Sequence, residues 1–276
     1  MAHQTSRVRL DASEIHVSYR ITEALEQADV QASLQTLSEA ERTRYARFRF
    51  ARDQRDYAIA HDLLRRCLSR YEPVHPMDWQ FELEPRGKPQ LASTHHLPEN
   101  GGPSLLFNLS HTRGLVAAGV ARRFAIGLDV EVLRRFADAT DVARRFFSPS
   151  EVEALEACPD ETRVVRFVEL WTLKEAFLKA TGEGVSERLS EISFDLGQPE
   201  VVSFSATYPL DLSNWHFALF APTPASRLAV AGYGPTHPRI TMRCDSGDGE
   251  SPLSDAQPLR TCRRCRDVVE TAPAPR

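Results

Sequence analysis

The sequence is short of cysteine, lysine, long apolar runs and positive charge. No stretch approaches the ~20 apolar residues that a membrane-spanning helix requires, and residues 1–14 lack the apolar centre of a secretion signal. A net charge of −4 argues against nucleic-acid binding through bulk positive charge. The five cysteines are few and odd in number, which favours free thiols in a reducing compartment. We therefore expect a cytoplasmic protein that binds neither membranes nor nucleic acid.

The rest of the composition is typical of a globular protein. At roughly 150 residues per domain, 276 residues correspond to one large or two small domains, and such a chain folds without disulfides or structural metal. Residues 236–276 differ, because they are rich in Pro, Ser, Asp and Arg and have little apolar periodicity, so we predict a disordered tail. Cys244, Cys262 and Cys265 in this tail are a weak zinc signal, since a structural site needs four ligands.

Hydrophobic spacing predicts a long helix and about three strands in each half of the chain. We expect strands at residues 15–19, 79–83, 105–109, 115–120, 125–130, 191–196, 200–207, 215–220 and 227–233, and helices beginning near Ser38 and Ser148 and covering 53–71 and 162–180. The three strands between 105 and 130 are spaced as an antiparallel meander. The pattern predicts an α+β fold of two similar lobes, residues 1–124 and 125–235, each a helix packed on a small antiparallel sheet.

Only three of the 34 basic residues are lysines, namely Lys88, Lys174 and Lys179. A genome that favours arginine explains most of this bias. A position that remains lysine is then a candidate for a compact ammonium group that the planar arginine fork cannot replace.

Two carboxylates, Asp129 and Glu131, end an otherwise apolar strand and share one face of it. One interpretation is an exposed strand face that pairs with Arg134 and Arg135. The other is a site for Mg²⁺, because adjacent buried carboxylates need a cation and Mg²⁺ prefers oxygen ligands.

The nearly all-apolar helix over 164–180 carries Lys174, Glu175 and Lys179. Glu175 and Lys179 lie four apart on one face, as in an ordinary surface ion pair. Their apolar neighbours favour instead a third carboxylate and an ammonium group of a metal–phosphate site.

Three smaller features complete the candidates. The strand Phe107–His111 ends in Ser110 and His111, and the turn 87–89 presents Lys88. Among the arginines of the N-terminal helices, one or two are candidate anion forks and the others are expected to be solvated. These are Arg44, Arg47, Arg52, Arg55 and Arg65.

Taken together, the motifs GKP (87–89), FNLSH (107–111), GLDVE (127–131) and WTLKEAFLK (171–179) resemble, in order and spacing, the 4′-phosphopantetheinyl transferases of the larger, surfactin-synthetase-activating type. The resemblance covers roughly residues 38–233. It implies a pseudo-dimer with the active site in the cleft between the lobes. It also implies Mg²⁺-dependent transfer, with Mn²⁺ as a substitute, of phosphopantetheine from coenzyme A to a carrier-protein serine, with release of adenosine 3′,5′-bisphosphate.

The resemblance also implies roles for individual residues. Asp129, Glu131 and Glu175 would hold Mg²⁺, Lys179 would contact the pyrophosphate, and Glu175 would be the base for the carrier serine. The remaining residues would bind coenzyme A, and they are Arg44, Arg55, Lys88, Ser110 and His111. The chain departs from the family at Thr112, where members often have serine, and at Glu41, where some have a basic residue.

The partners implied are carrier domains of fatty-acid, polyketide or nonribosomal peptide synthases, met by a monomeric enzyme. Two other functions use the same residues. One is a Mg²⁺-dependent phosphohydrolase or nuclease that acts with water, and the other is a non-catalytic module that holds a carrier domain or a nucleotide.

Overall fold

The computed structural model describes residues 8–95, 104–134, 139–184, 187–245, 254–255 and 257–262. The fold is mixed α+β, as predicted. The helices are α1 (Gln27–Leu34), α2 (Glu39–Tyr45), α3 (Ala51–Ser69), α4 (Ala139–Phe146), α5 (Pro149–Glu156) and α6 (Asp160–Thr181). The strands are β1 (Glu14–Ile21), β2 (Phe81–Leu83), β3 (Pro89–Leu91), β4 (Leu106–Thr112), β5 (Leu115–Ala121), β6 (Ala125–Val132), β7 (Ile192–Asp195), β8 (Ser203–Ala206), β9 (Trp215–Phe220), β10 (Ser226–Tyr233), β11 (Arg239–Cys244), β12 (Ser254–Asp255) and β13 (Arg260–Thr261). None of the helices within the described ranges is long and apolar enough to cross a membrane.

The first sheet has the strand order β12-β11-β1-β5-β4 and carries α3 on its outer face. α3 packs on this sheet because it has one apolar face: Ala60, Leu64 and Leu68 recur at the predicted helical spacing and are all buried against the sheet. The capping box expected at Ser38 is also present, since Ser38 and Glu41 bond reciprocally at the start of α2.

The second sheet has the order β13-β9-β10-β6 and carries α6 on its outer face. α6 ends at Gly182, whose φ of 71° is the left-handed conformation that glycine favours. The predicted meander is wrong in its third member: β6 pairs with β10, not with β5. Both edges of β5 are occupied, by β1 and by β4, so the chain has to leave the first sheet after Ala121.

The two sheets face each other, so the layers run helix, sheet, sheet, helix. The core between them contains apolar side chains of both sheets, among them Ile15, Val17 and Ala117 of the first and Leu128 and Val230 of the second. Strand alternation then fixes the opposite face of β6: because Leu128 and Val130 point between the sheets, Asp129 and Glu131 point toward α6. The pseudo-dimeric relation of the lobes remains a prediction.

The predicted disordered tail is wrong for its described part. β11 pairs in parallel with β1 over six residues, β12 pairs with β11, and β13 pairs with β9 of the second sheet. Met242 enters the core between the sheets, and Asp245 forms an ion pair with Arg70 at 2.9 Å, so the segment buries more than its composition suggests. The prediction of a wholly antiparallel first sheet is therefore wrong, because β1 and β11 run parallel. Residues 263–276, with Cys265, lie outside the described residues, and the proposed division at 124/125 stays a prediction.

Candidate active site between β4, β6 and α6

α6 lies against β6 at Gly127, and no side chain fits there. A Cβ at Gly127 would overlap the carbonyl oxygen of Ala176 and the amide nitrogen of Ala180. The glycine of the GLDVE motif therefore permits the close approach of helix and strand that brings the carboxylates of β6 to α6. The sequence analysis quoted this glycine only as part of a motif and assigned it no role.

The centre of the site is a hydrogen-bonded group of Asp129, Lys179 and Ser110. Lys179 Nζ lies 2.7 Å from Asp129 Oδ1 and 2.9 Å from Ser110 Oγ, and Ser110 Oγ donates to Asp129 Oδ1 at 3.0 Å. Asp129 is buried, whereas Lys179 is half-buried. Three residues predicted separately, from three different motifs, are thus in contact.

The other two carboxylates lie in the field of this group. Burial and then the charge of Asp129 raise the pKa of Glu131, although a hydrogen bond from Thr112 Oγ1 at 2.9 Å acts in the opposite direction. Burial, followed by the charge of Asp129, raises the pKa of Glu175 to about 7. The cluster therefore holds more negative charge than Lys179 balances, which stabilises a bound cation or a bound proton.

The donor set suits a hard divalent cation. Asp129 Oδ2 is buried and has no hydrogen-bond partner, and the three carboxylates supply only oxygen donors. In the arrangement seen, however, no three acidic, imidazole or thiol side chains of the described residues converge as ligands of one ion. The metal assignment thus remains a prediction, supported by this orphaned oxygen and by the surplus charge.

β4 is joined to β6 by side chains rather than by a backbone ladder. Asn108 Oδ1 accepts from the Leu128 amide at 2.9 Å, and Ser110 Oγ accepts from the Val130 amide at 3.2 Å. Because β6 is an edge strand, these two side chains satisfy amides that would otherwise be buried without partners. The alternation of polar residues along β4 was the available signal for this role.

Three residues assigned to coenzyme A are found near the end of β4. Arg44 is close enough to His111 for its charge to act on the imidazole, and Arg55 lies beside Asp56, which accepts from the Gly114 amide just after β4 at 3.2 Å. His111 lies at the surface, but nearby protein atoms partly desolvate its imidazole. This desolvation, and then the charge of Lys179, lower the pKa of His111, and the charge of Arg44 lowers it further. The Arg44 guanidinium lies 5.8 Å from the centre of the Tyr57 ring. Arg55 Nε is buried without a hydrogen-bond partner, 3.7 Å from Asp56 Oδ1.

The other two lysines are engaged with backbone carbonyls. Lys88 Nζ donates to Ala180 O at 2.9 Å and to Ile126 O at 3.4 Å, which ties the turn between β2 and β3 to the C-terminal end of α6. Lys174 is fully buried and pairs with Glu151 at 2.8 Å, away from the carboxylate cluster. Lys174, noted in the sequence only as one of the three retained lysines, is therefore part of a buried ion pair and not of the carboxylate cluster.

A second ion cluster at α2 and α3 is structural. Glu41 binds His61 at 2.9 Å and Arg65 at 2.7 Å, and Arg65 also donates to Pro76 O and Trp79 O. Burial acts to raise the pKa of Glu41, but the hydrogen bonds from His61 and Ser38, together with the charges of Arg65 and His61, lower it to about 2. The acidic residue that departs from the family pattern is thus the partner of the buried Arg65, which is not an anion fork.

Family models match the chain in two adjacent parts. The 4′-phosphopantetheinyl transferase superfamily matches residues 125–231, and the N-terminal domain of 4′-phosphopantetheinyl transferases matches residues 25–122. Both parts of the site are therefore covered: β4 lies in the N-terminal match, and β6 with α6 lies in the superfamily match. Strands β11 to β13 lie beyond the matched residues.

Curated relatives agree. The 4′-phosphopantetheinyl transferase HetI of Nostoc sp. is 36% identical over 228 residues, covering 81% of this chain and 90% of HetI. The 4′-phosphopantetheinyl transferase Sfp of Bacillus subtilis is 27% identical, covering 79% of this chain and 92% of Sfp. The putative 4′-phosphopantetheinyl transferase slr0495 of Synechocystis sp. is 35% identical, covering 56% of this chain and 61% of the relative. The chain belongs to the 4′-phosphopantetheinyl transferase superfamily and is an enzyme of that class.

Proposed function

We propose that the enzyme transfers 4′-phosphopantetheine from coenzyme A to the serine of an apo carrier protein and releases adenosine 3′,5′-bisphosphate. The observation that carries this proposal is the buried Asp129, which shares Lys179 with Ser110 while its second oxygen has no partner. Such a group binds a cation and a polyphosphate together, which is what pyrophosphate cleavage requires.

Asp129, Glu131 and Glu175 are the residues that would hold Mg²⁺, with Mn²⁺ as a substitute. When bound, the ion neutralises pyrophosphate oxygens and so favours departure of the bisphosphate. The surplus negative charge of the three carboxylates, described above, provides the driving force for binding it.

Lys179 and Glu175 carry the chemical step. The Lys179 ammonium lies at the Asp129 carboxylate and is placed to neutralise a pyrophosphate oxygen beside it. The carrier serine oxygen attacks the β-phosphorus, its proton passes to the Glu175 carboxylate, and the bond from the β-phosphorus to the oxygen that bridges the phosphates breaks. That oxygen leaves with the adenosine bisphosphate. Glu175 is the candidate base because its carboxylate lies close enough to Asp129 and Lys179 to feel both charges, so the base would stand beside the metal and the phosphate.

The 3′-phosphate of coenzyme A is assigned to Arg44, Arg55 and His111. The Arg55 guanidinium, whose Nε makes no hydrogen bond although it lies 3.7 Å from Asp56, and the exposed His111 imidazole are donors that a phosphate could satisfy. Ser110 and Lys88, both held by hydrogen bonds, would line the nucleotide pocket.

The acceptors proposed are carrier domains of fatty-acid, polyketide or nonribosomal peptide synthases, with the enzyme acting as a monomer. The decisive experiment incubates the protein with coenzyme A, Mg²⁺ and a panel of apo carrier domains, followed by mass spectrometry. We expect each true acceptor to gain one phosphopantetheine, and the same carrier with its serine replaced by alanine to gain none. Hydrolysis of coenzyme A without transfer would favour a phosphohydrolase, and binding without any reaction would favour a non-catalytic module.

The 3′-phosphate assignment has its own test. His111→Ala and Arg55→Ala should raise KM for coenzyme A much more than KM for dephospho-coenzyme A, because only the former carries the phosphate they bind. Arg123→Ala, an exposed arginine between β5 and β6, is the matched control and should alter neither. Equal effects on both substrates would show that His111 and Arg55 act elsewhere.

A further inference from the structure

The three polar residues on one face of β4 do not all do the same thing. Asn108 and Ser110 accept hydrogen bonds from backbone amides of β6, which any edge strand requires. Thr112, the next residue on that face, instead donates to a side chain: its Oγ1 lies 2.9 Å from Glu131 Oε2. The need to satisfy the backbone amides of the edge strand β6 therefore does not explain why a hydroxyl residue stands at position 112.

Thr112 is suited to hold a carboxylate still. Its side chain is buried, and a β-branched residue in a strand has a restricted χ1 angle. The position of the hydroxyl oxygen is therefore fixed by the strand and does not depend on the contact with Glu131. A hydroxyl that donates to one carboxylate oxygen leaves the other oxygen available to a cation. Asp129 receives the equivalent support from Ser110 and Lys179.

We propose that Thr112 is a positioning residue, whose hydroxyl orients Glu131 for binding of the divalent cation. The inference rests on the proposed function, in which Glu131 is a metal-binding residue. Groups that hydrogen-bond to metal-binding residues typically change metal affinity by about 10–100-fold when removed.

The test measures Mg²⁺ binding to the purified full-length protein by calorimetry, with and without adenosine 3′,5′-bisphosphate, and the Mg²⁺ concentration for half-maximal transfer. Thr112→Val keeps the shape and removes the hydroxyl, and it should weaken Mg²⁺ binding at least tenfold. Thr112→Ser keeps the hydroxyl and should restore binding to within about threefold. Thr241→Val is the control, because it deletes a buried hydroxyl of β11 that has no partner, and Mg²⁺ binding should not change.

A double substitution separates orientation of Glu131 from a general loss of structure. In a Glu131→Gln background, Thr112→Val should cause no further loss of Mg²⁺ affinity, whereas a merely structural effect would add to it. Unchanged Mg²⁺ binding by Thr112→Val, an additional loss in the Glu131→Gln background, or absence of Mg²⁺ binding by the wild-type protein would each overturn the inference. Failure of the proposed function looks different: Mg²⁺ would bind in a Glu131-dependent way, yet no carrier would be modified.

Discussion

Lys174 and Lys179 lie on the same helix, and each forms an ion pair with a carboxylate. The two pairs differ in how many of their polar atoms have hydrogen-bond or ion-pair partners. Lys174 is fully buried, pairs with Glu151 and donates to Leu189 O and Ile192 O, both at 2.7 Å. Glu151 in turn accepts from the Phe194 amide at 2.8 Å. Burial raises the pKa of Glu151 and lowers the pKa of Lys174, and each ion offsets part of the shift of the other.

Lys179 faces a cluster in which the opposite holds. One ammonium lies among Asp129, Glu131 and Glu175, and an oxygen of Asp129 has no partner. A closed pair of one acid and one base stabilises the fold around it, whereas an open cluster with surplus charge retains binding capacity. Complete hydrogen bonding and ion pairing, rather than residue type, thus separate the structural Lys174 from Lys179, for which a catalytic role is proposed.

Breaking the closed pair of Lys174 and Glu151 should have the greatest effect on stability. Lys174→Met leaves Glu151 buried without its cation, so the free energy of unfolding should fall by about 3–5 kcal/mol. Lys179→Met, the matched substitution on the same helix, removes a half-buried ammonium from the open cluster, so it should lower stability by less than Lys174→Met does and abolish transfer. Urea unfolding of both variants measures the difference, and equal destabilisation would contradict the comparison.

Next in size is the effect on catalysis at the open cluster. Asp129→Asn keeps the shape but removes the charge that Lys179 and the cation require, so kcat should drop by about 10²–10³-fold with the fold retained. Chelation by EDTA should abolish transfer in the wild-type protein, and Mg²⁺ or Mn²⁺ should restore it. Full activity of Asp129→Asn, measured by mass spectrometry of the carrier, would show that the Asp129 carboxylate is not needed for transfer.

The smallest effect is a pH dependence of stability in the metal-free protein. The pKa of Glu175 rises to about 7 on folding from an ordinary value of 4.5, so the folded state holds this proton more tightly than the unfolded state. The resulting stabilisation is complete below about pH 4.5 and is lost as the pH rises through 7; for this half-buried group we expect about 1–2 kcal/mol. Glu175→Gln should remove this part of the slope in unfolding experiments at pH 5 to 8. An unchanged slope would show that Glu175 does not carry the shifted proton.

Much of the fold could be predicted because the spacing of apolar residues along the chain indicates most of its helices and strands. α3 follows from apolar residues repeated every three or four positions, and α6 from a nearly all-apolar segment of helical length. The start of α2 at Ser38 and the end of α6 at Gly182 follow from capping chemistry. Strand partners were harder to predict: β6 pairs across to β10 because β5 has no free edge, which is a property of the assembled sheet. β11 was missed because its apolar contribution, centred on Met242, is too short to outweigh the polar composition around it.

The amino-acid sequence alone indicated which residues could do chemistry, because strand alternation puts Asp129 and Glu131 on one face and helical spacing puts Glu175 and Lys179 on another. It also determined the family, through the order of the motifs. The packing of the layers added that Lys174 is enclosed in a buried ion pair, that Thr112 reaches Glu131, and that the described part of the tail joins both sheets. These outcomes depend on contacts between residues far apart in the chain, whose energies arise from burial and polar satisfaction after the layers have packed.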